Sequence, residues 1–478
     1  MNLFRIRPAI LIVLLLSAIS FLPACKKEKM LNSGGSLKFS VDTLTFDTVF
    51  TAMGSFTVDV RIVNTQNQKI NISSVRLEKG DTSFFHLNID GKPGNSSTNI
   101  EVAPNDSFHV FATVKIDPRN QNNPFVIEDR LIATLNGKDF SIPVIAYGQD
   151  ANYIVGEELQ TQTWNDTKPY VIIHSAAVDT DQVLTIPAGC RVYMHGDSRL
   201  YVFKGASLKV LGTKTDSVVF QGDRLDRDYF GYEGYPGEWG GIYFTKYSVK
   251  NEIHYAVLKN CGSNTGAGLP SAIQLEPDLL VGDSFQLTIT HSRIENSIGY
   301  GILSFKGSLK AENCLINACG AQALAIVQGG DYEINNCDFV VFNSDKINHL
   351  KEPALAILNY FDVGNNQYVA DDLNAVLRNC VIWGSLEDEA FFDKVDKYKY
   401  NLTLENCVLR KKEAIPDYVI QKNCLINQDP KFVDQNNWDF HLQVGSPLIN
   451  AGTSIAISDD LDGKPRKGVP DIGCYEAD

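Results

Sequence analysis

Residues 309–316 read LKAENCLI, and residues 332–339 repeat the pattern as YEINNCDF. In both segments an alternation of apolar and polar residues leads to an asparagine and a cysteine, and Cys337 follows Cys314 by 23 residues. The Asn-Cys pair returns three more times after 43, 27 and 17 residues, at Cys380, Cys407 and Cys424. Self-similarity at roughly 20–50 residues is typical of solenoids. The sequence therefore predicts a stack of coils built from short parallel strands.

The cysteines of these repeats are expected to lie inside the stack. Equivalent positions of adjacent parallel strands lie about 4.8 Å apart, and a free cysteine behaves as a small hydrophobe. We therefore expect a buried thiol column, with the asparagines bonding to their neighbours above and below. Disulfides between vertical neighbours are compatible with this spacing, and a metal site is the remaining alternative. The column is predicted to contain Cys314, Cys337, Cys380, Cys407 and Cys424.

The solenoid is expected to occupy residues 151–445. The interval of 43 residues is nearly two periods, so residues 343–372 should hold one coil and a protruding loop. Upstream, the segments at residues 184–189, 205–212 and 239–244 are similar to the first turns of a right-handed parallel β-helix of the pectate-lyase-like type. The predicted fold class is all-β.

Residues 37–150 show a different period. Apolar residues alternate with polar ones, as in FTVDVRI at residues 56–62, between turn sequences such as Asp90-Gly91 and Asn136-Gly137. Short alternating strands without a helical period predict an antiparallel β-sandwich. The segment resembles the immunoglobulin-like modules of abnormal-spindle and Hydin-type proteins, through VAP at residues 102–104 and PVIAYG at residues 143–148.

Residues 1–25 have the pattern of a targeting segment: two arginines, an apolar stretch, and then LPAC ending at Cys25. This resembles the lipobox of bacterial lipoproteins, which implies cleavage before Cys25 and its lipidation. An ordinary secretory signal with an incidental cysteine is the alternative. Residues 26–36 are polar and end in Gly-Gly-Ser, which suits a flexible tether. The expected location is the outer membrane of the cell envelope, held by a lipid anchor, with exposure at the cell surface as a further option.

The charge balance bears on partners. The chain of 478 residues carries a formal net charge of −14 at pH 7. An acidic protein repels the phosphate backbone, so nucleic acid is not an expected partner. A glycan or a protein ligand remains as the expected partner besides the membrane.

The end of the chain contains PKFVD at 430–434, GSPLINAG at 445–452, DLDGKPR at 460–466 and PDIGCYE at 470–476. These motifs resemble the closing segment of right-handed β-helix proteins of the "choice-of-anchor Q" type, which are common in Bacteroidota. We expect residues 446–478 to cap the last coil. The acids could instead hold Ca²⁺ through oxygen ligands, although a turn-and-cap role with Arg466 as their partner is favoured. These acids are Asp460, Asp462, Asp471 and Glu476.

Enzymes that cleave acidic polysaccharides often have this fold, and their active sites carry recognisable sequence motifs. Asp371-Asp372 is present, but a Gly-His-Gly motif and paired metal-binding motifs are absent from the sequence. The loop at residues 223–239 mixes acids, arginines and aromatic rings, as in a carbohydrate platform. Its catalytic candidates are Asp226, Arg227 and Glu238, and its ligand-binding candidates are Tyr229, Tyr232, Tyr235 and Trp239.

A second loop, residues 388–400, carries Phe391, Phe392, Tyr398 and Tyr400 among acids and lysines, and is an equal candidate for partner contact. The favoured function is a non-catalytic module that binds a glycan or a protein. The alternatives are a polysaccharide lyase or glycoside hydrolase acting on acidic glycans, and a purely structural envelope protein.

Overall fold

The computed structural model describes residues 29–117, 125–196, 198–225, 234–278, 285–365 and 367–477. The predicted signal peptide and its lipidated Cys25 lie outside these residues. The chain is all-β and divides into two compact units, the first containing residues 29–117 and 126–148 and the second beginning at Gln149. Among the described residues, no helix is long and apolar enough to cross a membrane.

The first unit contains two five-stranded sheets. Phe46 of one sheet lies 5.5 Å from Phe85 of the other, ring centre to ring centre, so the sheets meet through their apolar faces. One sheet contains, in spatial order, Leu37–Phe39, Val58–Asn64, Ser107–Val114, Phe85–Ile89 and Lys92–Pro93. The other contains Leu44–Phe50, Lys138–Gln149, Phe125–Leu135, Ile70–Leu77 and Ser96–Val102. A short 3₁₀ helix, Gly80–Thr82, precedes the strand at Phe85.

The alternation of apolar and polar residues explains why these segments form strands with one buried face. In Val58–Asn64, Val58, Val60 and Ile62 face the core, while Asp59 and Arg61 face solvent. Asn136 and Gly137 have φ of 50° and 81°, so both adopt the left-handed conformation that a two-residue hairpin of type I′ requires. The turn sequence therefore fixes the register of the strands that it joins.

The second unit is a parallel β-solenoid, in which each coil passes through three sheets that we name A, B and C. Its first strands, Asn152–Leu159 and Tyr170–Val178, pair in parallel along both B and C. Sheet A contains Gln162–Thr163, Val183–Pro187, Ser207–Leu211, Asn251–His254, Leu287–Thr290, Ser308–Glu312, Gly330–Asn335, Leu373–Arg378, Tyr400–Glu405 and Val419–Lys422.

The other two sheets follow in each coil. Sheet B contains Arg191–Met194, Val218–Gly222, Ala256–Lys259, Arg293–Ser297, Leu315–Cys319, Asp338–Val341, Val381–Gly384, Val408–Leu409 and Leu425–Ile426. Sheet C contains Leu200–Val202, Ile242–Phe244, Ser271–Leu275, Tyr300–Phe305, Leu324–Val327, Leu355–Leu358 and Ala390–Asp393. The predicted protruding loop is a hairpin of Tyr360–Gly364 and Gln367–Ala370, which follows one complete sheet-C strand.

The thiol column is confirmed. Cys314, Cys337, Cys380 and Cys407 are fully buried, whereas Cys424 in the last coil is half-buried. All nine cysteines of the described residues are free thiols. Burial raises the pKa of the Cys337 thiol well above its usual range, so the column consists of neutral, apolar side chains.

At the corner between sheets A and B, one residue in each of seven successive coils adopts the left-handed conformation, and we call this series the turn ladder. Asparagine tolerates this conformation better than other residues with a Cβ. The asparagine before each column cysteine is therefore a requirement of the corner. The turn ladder consists of Tyr255, His291, Asn313, Asn336, Asn379, Asn406 and Asn423, with φ between 45° and 53°.

The C-terminal segment, residues 429–477, includes a hairpin of Phe432–Asp434 and Asp439–Leu442 joined by the 3₁₀ helix Gln435–Asn437. Asn406 donates its amide to Ala451 O, Asn336 donates to Gly473 O, and Asn313 donates to Asp459 O. The segment thus runs along the turn ladder back toward the first coils. The expectation that residues 446–478 cap the last coil is wrong in this respect.

An outward stripe of apolar residues explains this course. The residue after each column cysteine points out of sheet B, because side chains alternate along a strand. Leu315, Val381 and Val408 occupy these positions and are buried under Leu448 and Ile472 of the C-terminal segment. The segment covers this stripe, which would otherwise be an exposed apolar patch.

Candidate functional site

The first predicted loop is only partly described. Asp226, Arg227, Tyr229 and Tyr232 lie outside the described residues. Glu238 is half-buried; its Oε1 accepts the backbone N–H of Tyr235 at 3.1 Å.

Tyr235 is half exposed and lies 5.9 Å from the Lys346 ammonium group. Trp239, by contrast, is fully buried beside Phe220 and donates its indole N–H to Lys259 O at 2.9 Å. The prediction that Trp239 offers its ring to a ligand is therefore wrong. Trp239 lies three residues before the sheet-C strand Ile242–Phe244, and its ring belongs to the hydrophobic core.

The C-terminal acids are engaged within the fold. Asp460, buried, accepts the backbone N–H groups of Lys464 at 2.7 Å and Glu476 at 2.8 Å. Asp471, also buried, accepts those of Asn450 and Ala477. These carboxylates therefore close turns of the C-terminal segment.

The remaining two acids form ion pairs. Glu476 pairs with Arg466, as the turn-and-cap alternative expected, and Asp462 pairs with Arg293 and His441. Among the described residues, no group of three acids, histidines or cysteines has a geometry that would hold a metal ion. Because their oxygens already accept amide, guanidinium or imidazole donors, the four acids do not fit a Ca²⁺ site.

The second predicted loop contributes to an exposed aromatic surface. In strand Ala390–Asp393 the alternation buries Ala390 and Phe392 and turns Phe391 and Asp393 outward, with Phe391 48% exposed. The prediction that Phe392 contacts a partner is wrong, since its side chain belongs to the core. Phe391 remains as an accessible ring on sheet C.

The neighbouring hairpin adds two tyrosines. Tyr360 and Tyr368 pack edge to face with ring centres 6.0 Å apart, and Tyr368 is 53% exposed. The Tyr360 hydroxyl donates to Asp393 Oδ2 at 2.6 Å. Burial and this hydrogen bond to a carboxylate raise the pKa of Tyr360 to about 12. The hairpin is thereby fastened to the strand that carries Phe391.

A third element completes the surface. The Lys394 ammonium group lies 5.0 Å from the ring centre of Tyr418, and the Tyr418 hydroxyl donates to Phe392 O at 3.1 Å. Tyr418 also packs edge to face on Tyr400 at 5.3 Å. We define the aromatic surface as Tyr360, Tyr368, Phe391, Asp393, Lys394 and Tyr418.

This surface combines ring faces with a carboxylate and an ammonium group. Exposed rings are able to stack on the apolar face of a sugar, and carboxylate and ammonium groups are able to form hydrogen bonds with hydroxyl groups. The sequence predicted Phe391 but missed Tyr360, Tyr368 and Tyr418. A signal was present for the first two, because they lie in the insertion that lengthens one repeat interval to 43 residues.

Comparisons with known proteins add no assignment. No family model matches the chain, and no curated protein does. One solved structure aligns with this chain at 12% identity and a TM-score of 0.17. It is a family 123 glycoside hydrolase from Clostridium perfringens that was studied for the hydrolysis of glycolipid glycans. The alignment covers 24% of this chain and 26% of that chain, about a quarter of its length.

Proposed function

We propose that this protein is an outer-membrane lipoprotein, anchored through Cys25, whose solenoid binds glycans without cleaving them. Within this proposal the solenoid is a right-handed β-helix of the "choice-of-anchor Q" type, and the first unit is an immunoglobulin-like module. The lipobox-like segment at residues 22–25 and the C-terminal motifs support these finer descriptions. The prediction of a flexible tether at residues 26–36 is wrong from Leu31 on, because Leu31 N donates to Lys69 O at 2.8 Å and Asn136 Nδ2 donates to Gly34 O at 3.0 Å, which binds this stretch to the first unit.

The aromatic surface carries the binding proposal. Two of its rings, Tyr368 and Phe391, are about half exposed, although burying such rings is favourable. Asp393 fixes the hairpin through Tyr360, so the rings are held in place before a ligand arrives. Preorganised rings lose little conformational entropy on binding. A polar rim beside rings favours a glycan over an apolar protein face.

The test is a glycan-binding screen with the mature protein, residues 25–478. Tyr368→Ala and Phe391→Ala should each weaken binding of the retained glycan by up to about tenfold, since a stacked ring contributes roughly 0.5–1.5 kcal/mol. Phe111→Ala is the matched control, because Phe111 is a 39% exposed ring of the first unit. Equal binding by all three variants would refute the assignment to this surface.

Two further measurements test the rest of the proposal. Product release from polyuronides that disappears in Glu238→Ala would favour the lyase or hydrolase alternative over binding alone. For the anchor, Cys25→Ser should move the protein from the membrane fraction to the soluble fraction. Unchanged fractionation would contradict lipidation.

A further inference from the structure

A cavity of about 470 Å³ lies between sheet B and the turn at residues 460–463 of the C-terminal segment. It is separate from the aromatic surface and within the range of small-molecule sites. Its polar and aromatic lining consists of Lys214, Ser217, Tyr255, His291, Arg293 and Asp462.

The cavity lies where the turn ladder changes character. In the coils of Asn313, Asn336 and Asn406, the ladder amide bonds to the backbone of the C-terminal segment. At Tyr255 and His291 two rings replace the amides, stacked with centres 4.5 Å apart and planes 17° from parallel.

Both rings stand on strained backbone, with φ of 45° at Tyr255 and 47° at His291. The left-handed conformation costs roughly 1–2 kcal/mol for such residues. Strain of this kind concentrates at ligand sites, where an observed outlier justifies a functional hypothesis. His291 Nε2 keeps the tie between the ladder and the C-terminal segment, since it lies 3.0 Å from Asn313 Nδ2 and 3.3 Å from Asp459 Oδ1. The Tyr255 side chain makes no such bond within the described part of the chain, and asparagine would satisfy its corner, so the ring of Tyr255 requires another explanation.

The polar groups of the cavity are mainly donors. Among the described residues, Lys214 forms no ion pair; its nearest partner is Gly463 O at 3.5 Å. The hydroxyls of Ser217 and Tyr255 make no hydrogen bond to another side chain or backbone group in the described part of the chain. A Cβ on Gly463 would lie 2.6 Å from Lys214 Cδ, so a larger residue at this position would displace the lysine side chain.

The carboxylate of Asp462, the acidic group in the lining, already has hydrogen-bonding partners within the protein. Asp462 Oδ1 accepts Arg293 Nη2 at 3.2 Å, and Oδ2 lies 2.9 Å from His441 Nε2. Hydrogen bonds to Asp462 and Asp439 raise the pKa of His441 to about 9, so the imidazolium compensates the Asp462 charge. The unused capacity is therefore that of the Lys214 ammonium, the remaining Arg293 N–H groups and two hydroxyls.

We infer that this cavity binds a small organic oxyanion, a carboxylate or a phosphate carried on a ring. The oxyanion lies between Lys214 and Arg293, the strongest donors for such groups, and the ring lies against Tyr255 and His291. The protein as a whole carries a charge of −14, so this local pair of cations is what makes an anion site possible. The inference does not rest on glycan binding at the aromatic surface.

Titration calorimetry on the mature protein tests the inference with four probes: glucuronate, glucose 6-phosphate, glucose and inorganic phosphate. Glucuronate or glucose 6-phosphate, or both, should bind at least tenfold more tightly than glucose, and also more tightly than inorganic phosphate. Lys214→Met should weaken that binding at least tenfold. Lys467→Met, which removes an exposed lysine of the C-terminal segment, should leave it unchanged.

A second variant separates the site from the fold. Tyr255→Asn places the usual ladder residue at this corner. It should raise the free energy of unfolding because it removes the backbone strain, and it should weaken binding of the probe because it removes the ring. Glucose binding as tightly as glucuronate and glucose 6-phosphate would overturn the oxyanion assignment. Inorganic phosphate binding as tightly as both glucuronate and glucose 6-phosphate would overturn the ring contact. Failure of all four probes to bind below about 10 mM, roughly 2.7 kcal/mol of binding free energy, would refute the site.

Discussion

The structure makes Asn379 the firmest tie between the turn ladder and the C-terminal segment. Its side chain is fully buried; Oδ1 accepts Thr453 N at 2.7 Å, and Nδ2 donates to Thr453 O at 2.9 Å and to Asn336 Oδ1 at 3.3 Å. Asn379→Ala removes all three bonds. Asn423 occupies the same ladder position with φ of 51°, is exposed, and forms no side-chain hydrogen bond to another described residue. Asn423→Ala is therefore the matched control.

The expected magnitudes follow from these contacts. Each buried hydrogen bond contributes about 1 kcal/mol net, so the lost amide costs about 3 kcal/mol. Alanine in the left-handed conformation adds at least about 1 kcal/mol at either position. We expect Asn379→Ala to lower the free energy of unfolding by about 4 kcal/mol and Asn423→Ala by about 1 kcal/mol. Asn379→Gly should fall between them, because glycine accepts the conformation but supplies no amide.

Urea unfolding followed by tryptophan fluorescence measures these differences. All four tryptophans of the chain, Trp164, Trp239, Trp383 and Trp438, belong to the second unit, so the signal reports that unit alone. Trp383 also packs in the cluster beneath the C-terminal segment. The reasoning would be refuted if the free energies of unfolding of Asn379→Ala and Asn423→Ala differed by less than about 0.5 kcal/mol, which is smaller than the contribution of one hydrogen bond.

Three other predictions concern buried or titrating groups. Burial raises the pKa of Asp338 to about 7. Because the folded state binds this proton more tightly than the unfolded state, the free energy of unfolding should fall by up to about 4 kcal/mol from pH 4 to pH 7. Urea unfolding of the wild type and of Asp338→Asn at both pH values should show this fall in the wild type alone. The hydrogen bond to Asp462 raises the pKa of His441 to about 9, so the imidazolium stabilises the folded state fully below about pH 6.5 and this stabilisation is lost as the pH rises through 9. Limited proteolysis of the C-terminal segment should become faster over this pH range in the wild type but not in His441→Gln. Cys337→Ser, at a fully buried position, should cost roughly 1–3 kcal/mol, and Cys424→Ser, half-buried in the last coil, clearly less in the same unfolding assay.

The coils of the second unit were predictable because their constraints are local and repeat. A column position accepts only a small apolar side chain, and the adjacent corner needs a residue that tolerates positive φ. These two demands together produce the Asn-Cys pair, as at Asn336 and Cys337. The pair therefore identified the repeat, the buried thiols and the parallel stacking from the sequence alone.

The path of the C-terminal segment was missed although a signal was present. If Cys314, Cys380 and Cys407 face inward, alternation places Leu315, Val381 and Val408 outward. An outward aliphatic column on the surface of a solenoid needs a cover, and the segment with Leu448 and Ile472 provides it. The prediction of an end cap instead followed from the general need to protect an open edge. Which surface a segment covers is a long-range property that its own sequence does not encode.

Both candidate sites arise where the repeat departs from its pattern. The aromatic surface depends on the hairpin at residues 360–370, inserted into the long interval, and the cavity depends on Tyr255 and His291, which interrupt the asparagines of the turn ladder. The regular coils cannot differ from one another without cost, because every side chain in a column meets its neighbours above and below. Insertions and corner substitutions escape this constraint. In a solenoid of this kind, the irregular positions are therefore where binding chemistry is to be sought, and the proposed variants Tyr368→Ala and Tyr255→Asn test that conclusion at two independent places.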